Sequence, residues 1–149
     1  TTLETSGIAK EINESGNYNS VRAKLNSMDR NTQGLEMKKL GAAPEWVVGS
    51  VHAVTQKGEI VVASNTGSQL PAYSHGAGHV IWIVGTQKIV KDMGEAMERL
   101  YKYTLPLESE RAHKAYGVPG SAVNKMLVVN REVTPGRITL IFVNEKLGF

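Results

Sequence analysis

The stretch that decides the fold is Glu45–Val90, EWVVGSVHAVTQKGEIVVASNTGSQLPAYSHGAGHVIWIVGTQKIV. It carries three apolar, β-rich runs, Trp46–Val54, Glu59–Ser64 and Val80–Val84. A glycine-bearing turn and a helical stretch, Gln69–Ala77, join the second run to the third. Strand, glycine turn, helix and strand is the order of a parallel crossover. EIVVAS and VIWIV are nearly continuous rather than alternating, the pattern of strands covered on both faces. The SNTGSQ turn then stands at the carboxyl end of a strand and the start of a helix. Open α/β sheets bind ligands there, and free N–H groups favour an anion.

Working outward, the N-terminal part predicts a helix over residues 2–14, from the Thr1/Glu4 capping spacing and the stripe of Leu3, Ile8 and Ile12. A polar loop follows, in which Val21 and Leu25 mark at most one helical turn. A second helix is predicted from Thr32 to Leu40, ending at Gly41. Beyond the central stretch, Asp92 with Glu95 opens an amphipathic helix to Tyr103. Leu105-Pro106 is expected to break it, and Leu107–Tyr116 forms another helix stopped by Gly117 and Pro119. Met126–Asn130 and Ile138–Val143 read as antiparallel neighbours, a C-terminal β-hairpin around Pro135-Gly136. The expected fold is α/β, a mainly parallel sheet with flanking helices plus that hairpin.

At 149 residues the chain is one domain by length, residues 1–149. Its 41% hydrophobic and 21% charged content are those of an ordinary globule. The net charge of +3 comes from scattered Lys and Arg, without the basic stripe that nucleic-acid binding calls for. With no cysteine, disulfides, thiol nucleophiles and Cys-ligated metal are excluded. The longest apolar run is far too short to span a bilayer, and no signal-peptide pattern is present. A cytoplasmic protein is expected, with no nucleic-acid or membrane partner.

The phrases GSVHAVT (49–55), SNTGSQLPAYSHGAGHVIWIVGTQKIV (64–90), LPLESERAHKAYG (105–117) and PGRITLIFVNEKLGF (135–149) resemble one branch of the LUD-domain family, named for lactate utilisation. The spacing G-x-x-x-A-V, then G-x-I-V and T-G, is more distantly similar to the sugar-isomerase and CoA-transferase superfamily. The resemblance implies a three-layer α/β fold and a small anionic metabolite: a carboxylate, a phosphate or a CoA-like molecule. It implies a place in organic-acid (lactate) utilisation, as a homo-oligomer or as a partner subunit of a lactate-oxidation system. The enzymatic version is acyl- or CoA-type transfer, and the alternative is a non-catalytic accessory or metabolite-sensing subunit. The opening TTLETSG, without an initiator Met, looks like the segment that follows a first strand-to-helix turn in such domains. A domain lacking its N-terminal part is therefore expected.

Candidate site residues follow. Thr66, Gly67, Ser68 and Gln69 are ligand-binding candidates, because glycine lets the backbone approach an anion and the hydroxyls add donors. The same residues also suit a plain strand-to-helix turn. Together with Ser50, His52 lies in GSVHAVT, where superfamily enzymes carry site residues; it reads either as a proton shuttle, the catalytic candidate, or as a structural histidine. The acidic residue of the superfamily isomerases is absent here, where Ser50 and Val51 stand, and Gln56 occupies a turn position that is acidic in many relatives. Glu59 reads as a turn running into a strand rather than as a carboxylate nucleophile. Lys88, after the third strand, offers a positive charge to an anion or is simply solvated. Ser121, Asn124 and Lys125, in a glycine-containing loop, are placed to close over a ligand or belong to a plain loop. His75 and His79 have i, i+4 spacing, but with Gly76 and Gly78 between them no metal is expected. No cofactor is expected either.

Overall fold

The computed structural model describes residues 1–149. Its strands are β1 (Trp46–Gly49), β2 (Ala53–Thr55), β3 (Ile60–Ser64), β4 (His79–Gly85), β5 (Ile89–Val90), β6 (Lys125–Val129) and β7 (Ile138–Val143). The helices are α1 (Thr2–Thr5), α2 (Ile8–Glu14), α3 (Val21–Asn26), α4 (Arg30–Ala42), α5 (Met93–Arg99) and α6 (Leu105–Tyr116). A first sheet runs β1-β4-β7 and is wholly parallel, while a second runs β5-β2-β3-β6 and is mixed. The α/β class with a mostly parallel sheet and flanking helices is as expected.

Side-chain alternation along β3 sets the layering. All five of its residues are buried. Ile60 and Val62 join Val80, Trp82 and Val84 of β4 in a core between the two sheets. Val61 and Ala63 turn the other way, onto Ala96 of α5 and Leu100 just beyond its end. This is the period-2 geometry of a strand, and it stacks helices, second sheet and first sheet as successive layers. The near-continuous apolar runs do mark strands covered on both faces.

The connectivity departs from expectation in three places. The run Trp46–Val54 is two strands, β1 in one sheet and β2 in the other, with the chain crossing between layers at Ser50–His52. Gly49 permits that crossing, since a Cβ there would lie 1.9 Å from the Tyr73 hydroxyl. Secondly, β3 and β4 are not parallel neighbours. A tight turn closed by Thr55 and Glu59, with Gly58 at φ +89°, folds β3 back antiparallel to β2, and β6 takes its other edge. Both edges of β3 are thus occupied, and β4 pairs with β1 and β7 instead.

The C-terminal hairpin is the third correction: β6 belongs to the second sheet and β7 to the first. The link between them is long enough to cross the roughly 10 Å between packed sheets. Arg137 directs it. Its guanidinium donates to the carbonyls of Ala72, Tyr73 and Ala77 and pairs with Glu132, which pins the start of β7 beside β4.

Helices differ in detail. Gly7, at φ +76°, divides the expected first helix into α1 and α2. Pro106 does not end the Asp92 helix. A π-helical turn, Leu100–Thr104, carries α5 straight into α6. The widened turn relieves the clash between a proline ring and the preceding carbonyls. Asp92 caps α5 as expected, accepting from the Glu95 N–H. No helix is long and apolar enough to cross a membrane.

Candidate functional site

The polar end of β3 gathers most of the candidate residues. Between β3 and a short helical segment ending in the π turn Ala72–Gly76, the chain makes a turn in which Gly67 has φ +83°. That left-handed conformation is open to glycine at little cost. The turn is knit by its own hydroxyls. Gly67 N–H donates to Ser64 Oγ (2.8 Å), and Ser68 N–H to Thr66 Oγ1 (3.3 Å). Ser64 Oγ in turn donates to Gln69 Oε1. The main-chain donors of Gly67 and Ser68 are therefore occupied, and what the turn presents outward is side-chain hydroxyl.

Pairing of β6 with β3, in a register that sets Ser64 opposite Lys125, brings the second loop onto this turn. Lys125 Nζ donates to the Thr66 carbonyl (2.8 Å) and Asn124 Nδ2 to Asn65 Oδ1 (2.7 Å). The Lys125 stem covers Gly67 so closely that a Cβ there would stand 2.5 Å from Lys125 Cδ. No carboxylate pairs with Lys125.

His52 approaches the same end of β3 from β2. Its Nδ1 accepts the Ala63 N–H (3.1 Å), and its own N–H donates to the Val61 carbonyl (2.9 Å). An accepting Nδ1 puts the proton of the neutral ring on Nε2. Burial, helped by the nearby Lys88 charge, pulls the imidazole down to about 4. At neutral pH His52 is therefore uncharged, with one nitrogen committed to the backbone.

Lys88 and Ser50 form a neighbouring group that is buried rather than displayed. The Lys88 side chain is 2% exposed and donates to Thr2 Oγ1 (3.0 Å), Ser50 Oγ (3.1 Å) and the Val51 carbonyl (3.1 Å). All three partners are neutral. Burial lowers its ammonium to about 8, with a further contribution from Arg99. Lys88 is thus not the solvated surface lysine its position suggests.

Other features of the sequence fall elsewhere. Glu59 closes the β2–β3 turn through Thr55 Oγ1. His79 begins β4, stacked on Trp46 at 4.0 Å between ring centroids, while His75 lies exposed in the π turn. No three His, Asp or Glu side chains converge as metal ligands would. Sequence reasoning passed over Arg137 and Arg99. A lone arginine before a strand or inside an amphipathic helix carries no signal of burial.

A search of curated proteins returns no match, and neither does a search of solved structures. A scan of protein-family models matches the LUD domain across residues 1–143. That match spans all seven strands, the His52 and Gly67 segments and the Lys125 loop, and the chain therefore belongs to the LUD-domain family, which is associated with lactate utilisation.

Proposed function

We propose that this LUD domain binds a small organic anion of lactate metabolism at the polar end of β3. Thr66, Ser68 and Gln69 supply hydrogen-bonding groups there, Lys125 and Asn124 cover the site, and His52 lines its base. One observation carries the reading. Lys88 and Lys125, the two ammonium groups of this region, are bonded only to neutral oxygens. Lys88 is desolvated without a counter-charge, which is costly. The exposed Lys125 has no carboxylate partner either, and an anionic ligand supplies the missing charge.

The state of His52 favours binding or sensing over proton transfer. An imidazole held near 4 is a poor base at neutral pH, and no carboxylate hydrogen-bonds to it to orient or recharge it. An accessory, metabolite-sensing subunit fits this better than an acyl- or CoA-transferase. Thermal melting with lactate, an acyl-CoA and a sugar phosphate tests the proposal. A rise in melting temperature with at least one of them, diminished in Lys125→Gln, is expected. Unchanged melting with all three would remove its support.

A further inference from the structure

Two arginines lie partly or wholly inside the molecule, and their surroundings treat them differently. Arg137, 8% exposed, has an acceptor for Nε and for both terminal nitrogens. Arg99, at the end of α5, has a single partner, Thr104 Oγ1, at 3.4 Å from Nη1. Its Nε and Nη2 are buried and have none. Folded proteins keep few such orphans. These two nitrogens form one edge of the guanidinium, the fork that takes both oxygens of a carboxylate or phosphate in parallel.

Arg99 lines a cleft of about 530 Å³ with Gln87, Val90, Tyr103, Lys146 and two glutamates. The glutamates do not serve it. Glu98 holds Lys102 at 2.6 Å, and Glu95 accepts the Lys91 N–H at 2.8 Å. Neither Arg99 nor Lys146 forms an ion pair with any carboxylate. Both cations instead lie against the Tyr103 ring, 5.0 Å and 5.9 Å from its centroid. Gln87 adds a buried Oε1 that has no donor, while its Nε2 is tied to the Leu147 carbonyl.

We infer that this cleft binds a small carboxylate or phosphate anion through the Nε–Nη2 edge of Arg99, with Lys146 as the second cation. The anion supplies the acceptors Arg99 lacks and offsets two like charges gathered on one ring. The fork lies below the surface, so side chains lining the cleft must shift to admit the ligand. A hydroxyl or amino group on the ligand would donate to Gln87 Oε1. The cleft shares no lining residue with the Gly67 turn, so this inference stands apart from the proposed function.

Nitrogen-15 NMR of the intact chain, titrated separately with inorganic phosphate and with acetate while chloride holds the ionic strength constant, reads the Arg99 Nε–H and the Gln87 amide directly. Saturable shifts of the Arg99 signal with either probe are expected, and the probe that gives them assigns the ligand class. Arg99→Gln removes both charged hydrogen bonds of the fork and should weaken binding at least about tenfold, the worth of a single one. Lys125→Gln should leave it unchanged, so failure here and failure of the Gly67 site are told apart. Signals unmoved by both probes overturn the inference. Should Arg99→Gln not fold, Arg99→Lys and Lys146→Gln decide: weakened binding in both supports the site, and unchanged affinity in either overturns it.

Discussion

Acidification should destabilise this protein through His52, and the size of the effect follows from the geometry. The folded-state value near 4 lies below the ordinary 6.5, so the unfolded chain takes up the proton first. Stability is therefore complete above pH 6.5, falls as the pH drops toward 4 and is level below that. At about 1.4 kcal/mol per tenfold, the full loss is roughly 3 kcal/mol. The cause is concrete: shielding disfavours the charged ring, and a proton on Nδ1 would face the Ala63 N–H it now accepts. His52→Asn separates this from all other titrations, because an Asn oxygen can accept the same N–H but takes up no proton. Urea unfolding of both proteins from pH 7 to pH 4 should give a difference that widens by roughly 3 kcal/mol in favour of the variant. Parallel loss of stability in the two proteins would refute the reasoning. His52→Ala should instead cost about 1–3 kcal/mol at pH 7, since the Ala63 N–H is left unmatched.

Other predictions rest on single contacts. Lys88 falls from 10.5 to about 8 in the fold, so the folded protein releases that proton first. Denaturation between pH 8 and pH 10.5 should show wild type gaining up to roughly 3 kcal/mol over Lys88→Met, and a flat difference would contradict this. Arg137→Met strands three carbonyls and Glu132. It should cost about 3 kcal/mol or more in equilibrium unfolding, and a loss under about 1 kcal/mol would show that those groups find other partners. Gly67→Val forces a β-branched residue to φ +83° and pushes Lys125 aside. It should cost roughly 1–2 kcal/mol in urea unfolding and abolish any lactate-dependent rise in melting temperature; an unaltered rise would separate the Gly67 turn from ligand binding.

What the sequence by itself determined is local. The apolar run Ile60–Ala63, closed by Ser64, is a strand buried on both faces because adjacent side chains point to opposite sides and those four are all apolar. Asp92 before Met93 caps a helix, and Gly67 makes a left-handed turn, because each depends only on its own few residues. The family phrases likewise lie along the chain. The tertiary structure decided the rest. Nothing in VVGSVHAV announces that β1 and β2 enter different sheets, nor that β6 and β7 part company across the same gap. A strand edge offers the same N–H and C=O groups to any neighbour, so pairing is settled by how the layers stack and by distant staples such as Arg137. Burial of a charge is equally non-local. Lys88 is enclosed by Thr2, Ser50 and Val51, two of them nearly forty residues away and one at the far end of the chain, and only the folded surroundings take the water from it.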